Sequence, residues 1–93
     1  MRFIVCGDAL FSSRNLENRL DKKIVEKLKS ADGGFVNAEF CTPNPETPPA
    51  CGRGYMTSVR PATLKEFSDL NLKMVGFVNN HTGDYGWQGV MDT

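Results

Sequence analysis

Short apolar runs that stop at polar residues recur three times along the chain. They are Phe3–Cys6, Phe35 with Val36, and Met74–Val78. Each run is too short for a buried helix, and its β-branched and aromatic residues favour a buried strand. The sequence therefore predicts three buried strands, of which the first ends at Gly7 and Asp8.

Apolar residues at helical spacing predict an amphipathic helix between the first two strands. The apolar stripe consists of Leu16, Leu20, Ile24, Val25 and Leu28. Charged residues lie between these positions, so one face of the helix should pack on a sheet. We expect the whole stripe to lie in the core and the helix to stop after Lys29, before Gly33 and Gly34.

Two further helices are predicted in the second half of the chain. Thr63 and Glu66 have the spacing of a capping box at the start of a short helix. The buried face of that helix would be Leu64, Phe67 and Leu70. Asp84 is the expected N-cap of the last helix. The apolar side of that helix would be Trp87, Val90 and Met91.

A long loop separates the second strand from the later elements. Residues 42–54 contain four of the five prolines and two glycines, with no hydrophobic period. Loops of this length are usually functional or mobile. Residues 55–60 alternate enough to form a strand or an extended segment, which Pro61 ends. The resulting order of strands and helices predicts an α/β fold of mostly parallel strands joined by crossovers.

Composition limits the size of the fold and the classes of partner. The 93 residues suffice for one small core. Eleven basic and eleven acidic side chains cancel, which argues against binding to nucleic acid or an anionic membrane. We expect no signal peptide and no membrane segment, and hence a cytoplasmic protein. No helix stop signal precedes Thr93, so we expect residues 1–93 to be the N-terminal portion of a larger domain, completed by a missing C-terminal portion or a second chain.

The three cysteines give only a weak signal. Cys6, Cys41 and Cys51 form no CxxC pair, and their odd number argues against a disulfide framework. Cys6 is expected to be a small buried hydrophobe. Cys41 and Cys51 flank the proline-rich loop, and a disulfide or a zinc site there is the minor alternative.

Polar side chains follow all three predicted strands. They are Asp8, Asn37, Glu39, Asn80 and His81. The carboxyl ends of parallel strands meet at one edge of a sheet, where ligands collect. Carboxylate, amide and imidazole groups suit manganese, iron or zinc, as one ion or as a pair. Taken singly, Asn80 and His81 are equally explained as a helix cap and a surface turn residue, and for Asn37 with Glu39 two solvated side chains on an edge strand are the favoured explanation. Their convergence on one edge favours a functional site.

The polar motifs together resemble a known family. They are Gly7-Asp8, Asn37-Ala38-Glu39, Pro61, Asn79-Asn80-His81, Asp84-Tyr85-Gly86, Gly89 and Asp92-Thr93. In this order and spacing they resemble the capsule-synthesis CapA proteins, the poly-gamma-glutamate biosynthesis branch of the calcineurin-like metallophosphatases. The stretch NNHxxDYGxxG is the most specific part. The resemblance implies a four-layer α-β-β-α sandwich with a metal site at one edge, of which this chain is the first part.

The resemblance also implies roles for individual residues. Asp8 matches a metal-binding aspartate, Glu39 the acid that bridges two metals, and Asn80 an asparagine on the second metal. His81 matches the histidine beside the scissile phosphate, with Asp84 orienting its ring. Substrate contacts are expected from Asn37, Asn79 and Arg14, although a solvated arginine at a helix end is the favoured explanation of Arg14.

Two functions of different classes follow from the resemblance. The first is a metal-dependent hydrolase of phosphoester type, acting on an anionic or phosphorylated small molecule or polymer. The alternative is a non-catalytic member that binds a polymer or a partner. Leu10 stands where many metallophosphatases have a histidine, and no histidine follows His81. We therefore expect the chain alone to bind metal weakly.

Overall fold

The computed structural model describes residues 1–10, 14–52 and 54–93. Its strands are β1 (Phe3–Ala9), β2 (Gly33–Ala38) and β3 (Leu72–Gly76). Its helices over these residues are α1 (Leu16–Arg19), α2 (Lys22–Ser30), α3 (Ala62–Asp69) and α4 (Gly86–Asp92). The sheet order is β1-β2-β3, and both strand pairs are parallel. The predicted α/β class with parallel strands is confirmed.

One face of the sheet carries the hydrophobic core. Helices α2 and α3 supply its outer side, and β2 crosses its centre. The buried members are Val25, Leu28, Val36, Ala38, Phe40, Phe67, Leu70 and Leu72. The predicted buried face of α3 is confirmed, because Phe67 and Leu70 are buried and Leu64 is partly buried against the core.

The opposite face of the sheet remains exposed. Val5, Phe35 and Met74 are neighbours in the strand register and so share this face. Val5 is 73% exposed and Met74 is 53% exposed. The prediction that the first and third apolar runs are fully buried was therefore wrong. These runs form the two outer strands, and the helices of the core cover only one of their faces.

The outer strands also have different limits from those predicted. β1 continues through Gly7 and Asp8 to Ala9, because its pairing with β2 resumes after a register shift. β3 ends earlier than predicted, at Gly76, and Val78 is 95% exposed. Residues beyond Gly76 leave the sheet because their backbone enters the turn that leads to α4.

The first predicted helix is two helices rather than one. The backbone is extended at Leu20, with φ of −88° and ψ of 151°, and this ends α1. Asp21 then caps α2 by accepting a 2.8 Å hydrogen bond from the backbone N–H of Lys23. The break turns part of the apolar stripe outward, so Leu20 and Ile24 are exposed while Val25 and Leu28 remain buried.

Both predicted N-caps were wrong. Pro61 occupies the N-cap position of α3, and Thr63 lies buried inside the helix. Tyr85 precedes α4, whereas Asp84 is wholly buried and bonded to residues outside the helix. The apolar side predicted for α4 is also largely wrong, because Trp87 and Met91 are exposed.

The segment before α3, residues 55–60, was predicted to be a strand or an extended segment, and it is extended. Among the described residues, the only isolated β-bridge of the 55–60 segment is the parallel one that Ser58 forms with Cys41. The described residues of the 42–54 segment contain no helix or strand, which agrees with a loop. Each of the three cysteines is a thiol rather than half of a disulfide, with Cys41 buried, Cys51 exposed and Cys6 only partly buried. Cys41 and Cys51 therefore form no disulfide.

Asn71 connects helix α2 to the start of β3. Its backbone is left-handed, with φ of 65°. Its side-chain amide donates to the carbonyl oxygens of Leu28 and Ala31, at 3.1 and 2.8 Å. These bonds satisfy carbonyls that a helix end leaves without intrahelical partners. None of the described helices is long and apolar enough to span a bilayer.

Candidate active site at the carboxyl edge of the sheet

Two carboxylates converge on one side-chain nitrogen at the carboxyl edge of the sheet. Asp8 on β1 is the register partner of Asn37 on β2. The amide nitrogen Nδ2 of Asn37 donates to Oδ1 of Asp8 at 2.8 Å and to Oε1 of Glu39 at 2.7 Å. Side chains two residues apart on an extended chain point the same way, which is why Glu39 reaches Asn37. The edge thus places two carboxylates on either side of one atom.

Asn79 ties the turn after β3 to the centre of this edge. Its Nδ2 donates to the carbonyl oxygen of Ala38 at 2.7 Å and to Oδ1 of Asn37 at 3.4 Å. Its Oδ1 accepts from the backbone N–H of His81 at 2.9 Å. The backbone N–H of Asn79 donates to the hydroxyl of Thr82 at 2.8 Å. The turn that carries the histidine is therefore fixed relative to β2.

His81 and Asp84 form a buried pair behind the turn. Nδ1 of His81 lies 2.6 Å from Oδ2 of Asp84, and Asp84 has no exposed surface. The backbone N–H of Thr57 also donates to Oδ2 of Asp84, at 2.8 Å. An ionised carboxylate can only accept hydrogen bonds, so when Asp84 is ionised Nδ1 of His81 carries a proton and donates it to Asp84. Nε2 is then the ring nitrogen that can exchange a proton with a ligand. The ring of Tyr55 stands edge-on to the imidazole, with centroids 6.1 Å apart.

Thr57 joins the carboxylate edge to the histidine pair, and the sequence did not single it out. Its hydroxyl donates to the carbonyl oxygen of Glu39 at 2.6 Å, while its backbone N–H holds Asp84. The only signal for Thr57 was the alternating pattern of residues 55–60, which placed it on an extended segment. Cys41 was also missed as a site residue. Its thiol donates to the carbonyl oxygen of His81 at 3.1 Å.

A protein-family comparison matches the chain over nearly its whole length. The family model described as bacterial capsule synthesis protein PGA_cap matches residues 2–93. The chain belongs to this family. The match confirms the resemblance to capsule-synthesis proteins that the sequence motifs indicated. No curated protein is similar enough to the chain to count as a match.

Two of the predicted site residues of this PGA_cap chain, Asn80 and Arg14, are exposed. Asn80 is exposed in the turn, and its neighbour Asn79 makes the contact with Asn37. Arg14 forms an ion pair with Glu66 of α3, with Nε and Oε2 2.6 Å apart. The structure brings together six of the predicted residues in one hydrogen-bonded network, through Asn37, Asn79 and Thr57. The members of this edge network are Asp8, Asn37, Glu39, Asn79, His81 and Asp84.

The donor set of the PGA_cap edge network is rich in oxygen. Across the described residues, no group of three or more His, Cys, Asp or Glu side chains is placed to hold a metal ion. Asp8 and Glu39 are the two carboxylates that converge, and the amide oxygens of Asn37 and Asn79 lie beside them. Oxygen donors of this kind fit a hard divalent cation better than a tetrahedral zinc site.

Proposed function

We propose that this PGA_cap family member is a metal-dependent hydrolase of phosphoester type. The supporting observation is the approach of Asp8 and Glu39 to the single nitrogen of Asn37, at 2.8 and 2.7 Å. A hydrogen-bond donor between two carboxylates occupies the place that a cation would take. Rotating the Asn37 amide by half a turn would present its oxygen to the same point.

The cation in this proposal is manganese or another hard divalent ion held by Asp8 and Glu39. When bound, it supplies positive charge that stabilises the charge developing on a phosphoester. Asn80 remains the proposed ligand of a second ion. Iron is an equally suitable choice for carboxylate and amide oxygens, whereas zinc prefers more nitrogen or sulfur donors.

His81 is the proposed general acid of this reaction. Oδ2 of Asp84 fixes the ring through Nδ1 at 2.6 Å, and the backbone N–H of Thr57 holds the same carboxylate oxygen at 2.8 Å. The proton exchanged with a leaving oxygen would then be carried at Nε2. Only 11% of the His81 side chain is exposed, so a substrate would reach it beside the exposed ring of Tyr55 or after a small movement of that ring.

The proposed substrate is an anionic or phosphorylated small molecule or polymer. Asn37 and Asn79 are the proposed substrate contacts at the edge, and Arg14 is a proposed contact with a substrate anion. A cytoplasmic location is part of the same proposal.

The direct test is hydrolysis of bis(p-nitrophenyl) phosphate by the full chain with added manganese. We expect His81→Gln to lower kcat by about a hundredfold, as loss of a general acid does. Glu39→Gln should remove activity by removing a cation ligand. Glu26→Gln is the matched control, because Glu26 is an exposed carboxylate on α2. Wild-type turnover no faster than that of manganese in buffer, or equal rates in all variants, would refute the proposal.

A non-catalytic binding role is the second candidate. The observation in its favour is that Asn37 already donates a hydrogen bond to each of the two edge carboxylates and that His81 is nine-tenths buried. A protein of this kind would bind a polymer or an assembly partner with the same network intact. It would bind unchanged after His81→Gln, whereas an enzyme would lose turnover.

A further inference from the structure

A cleft of about 730 Å³ lies beside the start of helix α3. Its walls come from the 43–45 loop and from residues 58–62. Two arginines, Arg14 and Arg60, both line it. The cleft has the size of a small-molecule site.

Positive charge dominates the lining of this cleft. None of the described lining residues is an aspartate or a glutamate. Arg60 is exposed, and within the part of the chain that the structure describes its guanidinium makes no hydrogen bond and no ion pair. Arg14 uses only Nε for Glu66, which leaves its terminal nitrogens to donate. Two guanidinium groups thus face one cavity with donors to spare.

The polar groups around the arginines are held in place. Glu66 accepts from Arg14 at 2.6 Å and from the backbone N–H of Leu16 at 3.1 Å. Asn44 donates through its backbone and its side chain to Asp92, at 3.0 Å each. The hydroxyl of Ser58 accepts from Tyr85 at 3.0 Å, so its own proton is left to donate. The two carboxylates next to the cleft, those of Glu66 and Asp92, therefore already accept hydrogen bonds from the protein.

We propose that the cleft between Arg14 and Arg60 binds an anionic group, a carboxylate or a phosphate, of a ligand of this protein. Guanidinium groups bind both oxyanions with charge-assisted, often paired hydrogen bonds. Ser58 lines the cleft, and its neighbour Thr57 donates its backbone N–H to Asp84, so one extended segment contributes both to the cleft and to the histidine pair. The inference rests on the cleft alone and stands whether or not the edge network holds a cation.

The test is an NMR titration of the full chain, followed through backbone amide signals at constant ionic strength. One arm uses inorganic phosphate and the other uses succinate. We expect saturable shifts at Asn44, Ser58 and Arg60 in at least one arm, and the arm that responds identifies the anion. Absence of saturable binding below about 10 mM in both arms, or shifts confined to other residues, would overturn the inference.

The matched variants are Arg60→Gln, Arg60→Lys and Arg19→Gln. Loss of a charge-assisted hydrogen bond should weaken binding by at least about tenfold in Arg60→Gln, with a smaller loss in Arg60→Lys. Arg19 is an exposed arginine at the end of α1, and its replacement should change affinity by less than about twofold. Equal losses in Arg60→Gln and Arg19→Gln would show general charge attraction and would overturn the site. Arg60 is exposed, so the variant should keep the wild-type spectrum elsewhere.

Discussion

Nδ1 of His81 lies 2.6 Å from Oδ2 of Asp84, and Asp84 is completely buried. This pair lies at the point where the turn after β3 meets the extended segment 55–60, because the same carboxylate oxygen accepts from Thr57. A buried carboxylate is stabilised only while its donors remain in place.

Replacing Asp84 should therefore destabilise the fold strongly. We expect Asp84→Ala to lower the free energy of unfolding by about 3 kcal/mol or more, since it leaves buried donors without an acceptor. Urea unfolding followed by circular dichroism measures this. Asp69→Ala is the control, because Asp69 is exposed in an ion pair with Lys65 and should cost less than about 1 kcal/mol. Similar losses in the two variants would contradict the role given to Asp84.

Removal of Asn79 should also destabilise the turn that carries His81. Asn79→Ala deletes the bonds to the Ala38 carbonyl and from the His81 N–H, at 2.7 and 2.9 Å. At about 1 kcal/mol for each bond, the loss should be about 2 kcal/mol. Urea unfolding measures it beside Asn18→Ala, in which an exposed asparagine of α1 is removed. A loss no larger than that of Asn18→Ala would show that Asn79 does not fix the turn.

The parallel sheet should tolerate a methyl group at one glycine and not at another. A Cβ at Gly34 would lie 2.8 Å from Cδ2 of Leu72 and 3.3 Å from the Ile4 carbonyl oxygen. We expect Gly34→Ala to lower the free energy of unfolding by about 1 to 3 kcal/mol through this overpacking. A Cβ at Gly7 would meet nothing within 4 Å, so Gly7→Ala should leave stability unchanged or slightly higher. Thermal unfolding of both variants gives the comparison, and equal melting temperatures would refute the packing argument.

Asp92 should make the stability of the protein depend on acid pH. Hydrogen bonds from the hydroxyl of Thr47, then from the backbone of Asn44 and the side chain of Gln88, lower the pKa of Asp92 below its ordinary value of 3.8. The folded state thus holds this proton less tightly than the unfolded state does. The resulting stabilisation is present above the ordinary pKa and is lost as pH falls through the lower pKa of the folded state.

Melting temperatures measured from neutral pH down to below the ordinary carboxyl pKa check this dependence. Asp92→Asn should be less stable than wild type at neutral pH and should lose less stability on acidification. Glu66 contributes in the same direction, because the hydrogen bond from Arg14 lowers its pKa, so the variant should keep part of the acid sensitivity. Parallel curves for wild type and Asp92→Asn would show that Asp92 contributes nothing to it.

Apolar residues that recur with the period of a strand (two residues) or of a helix (3.6 residues) predicted the parts of the fold that depend on local sequence. The three apolar runs indicated the strands, and parallel order then brought Asp8 and Asn37 to one edge. Alternation along an extended chain predicted that Asn37 and Glu39 point the same way, and their 2.7 Å hydrogen bond agrees with it.

The errors came from contacts between distant parts of the chain and from competing local signals. An aspartate before a helix reads as an N-cap, yet Asp84 is held by Thr57, which lies 27 residues earlier. Leu20 fits the period of one long helix, but the capping bond of Asp21 starts a second one. Burial of the outer strands could not be predicted, because it depends on which face the helices cover.

Manganese binding to the full chain, measured by titration calorimetry, tests the central claim most directly. The account predicts weak but saturable binding that Asp8→Asn and Glu39→Gln each weaken by at least about tenfold, while Glu26→Gln leaves it unchanged. Binding that survives both edge substitutions, or that is lost equally in Glu26→Gln, would contradict a cation site between Asp8 and Glu39.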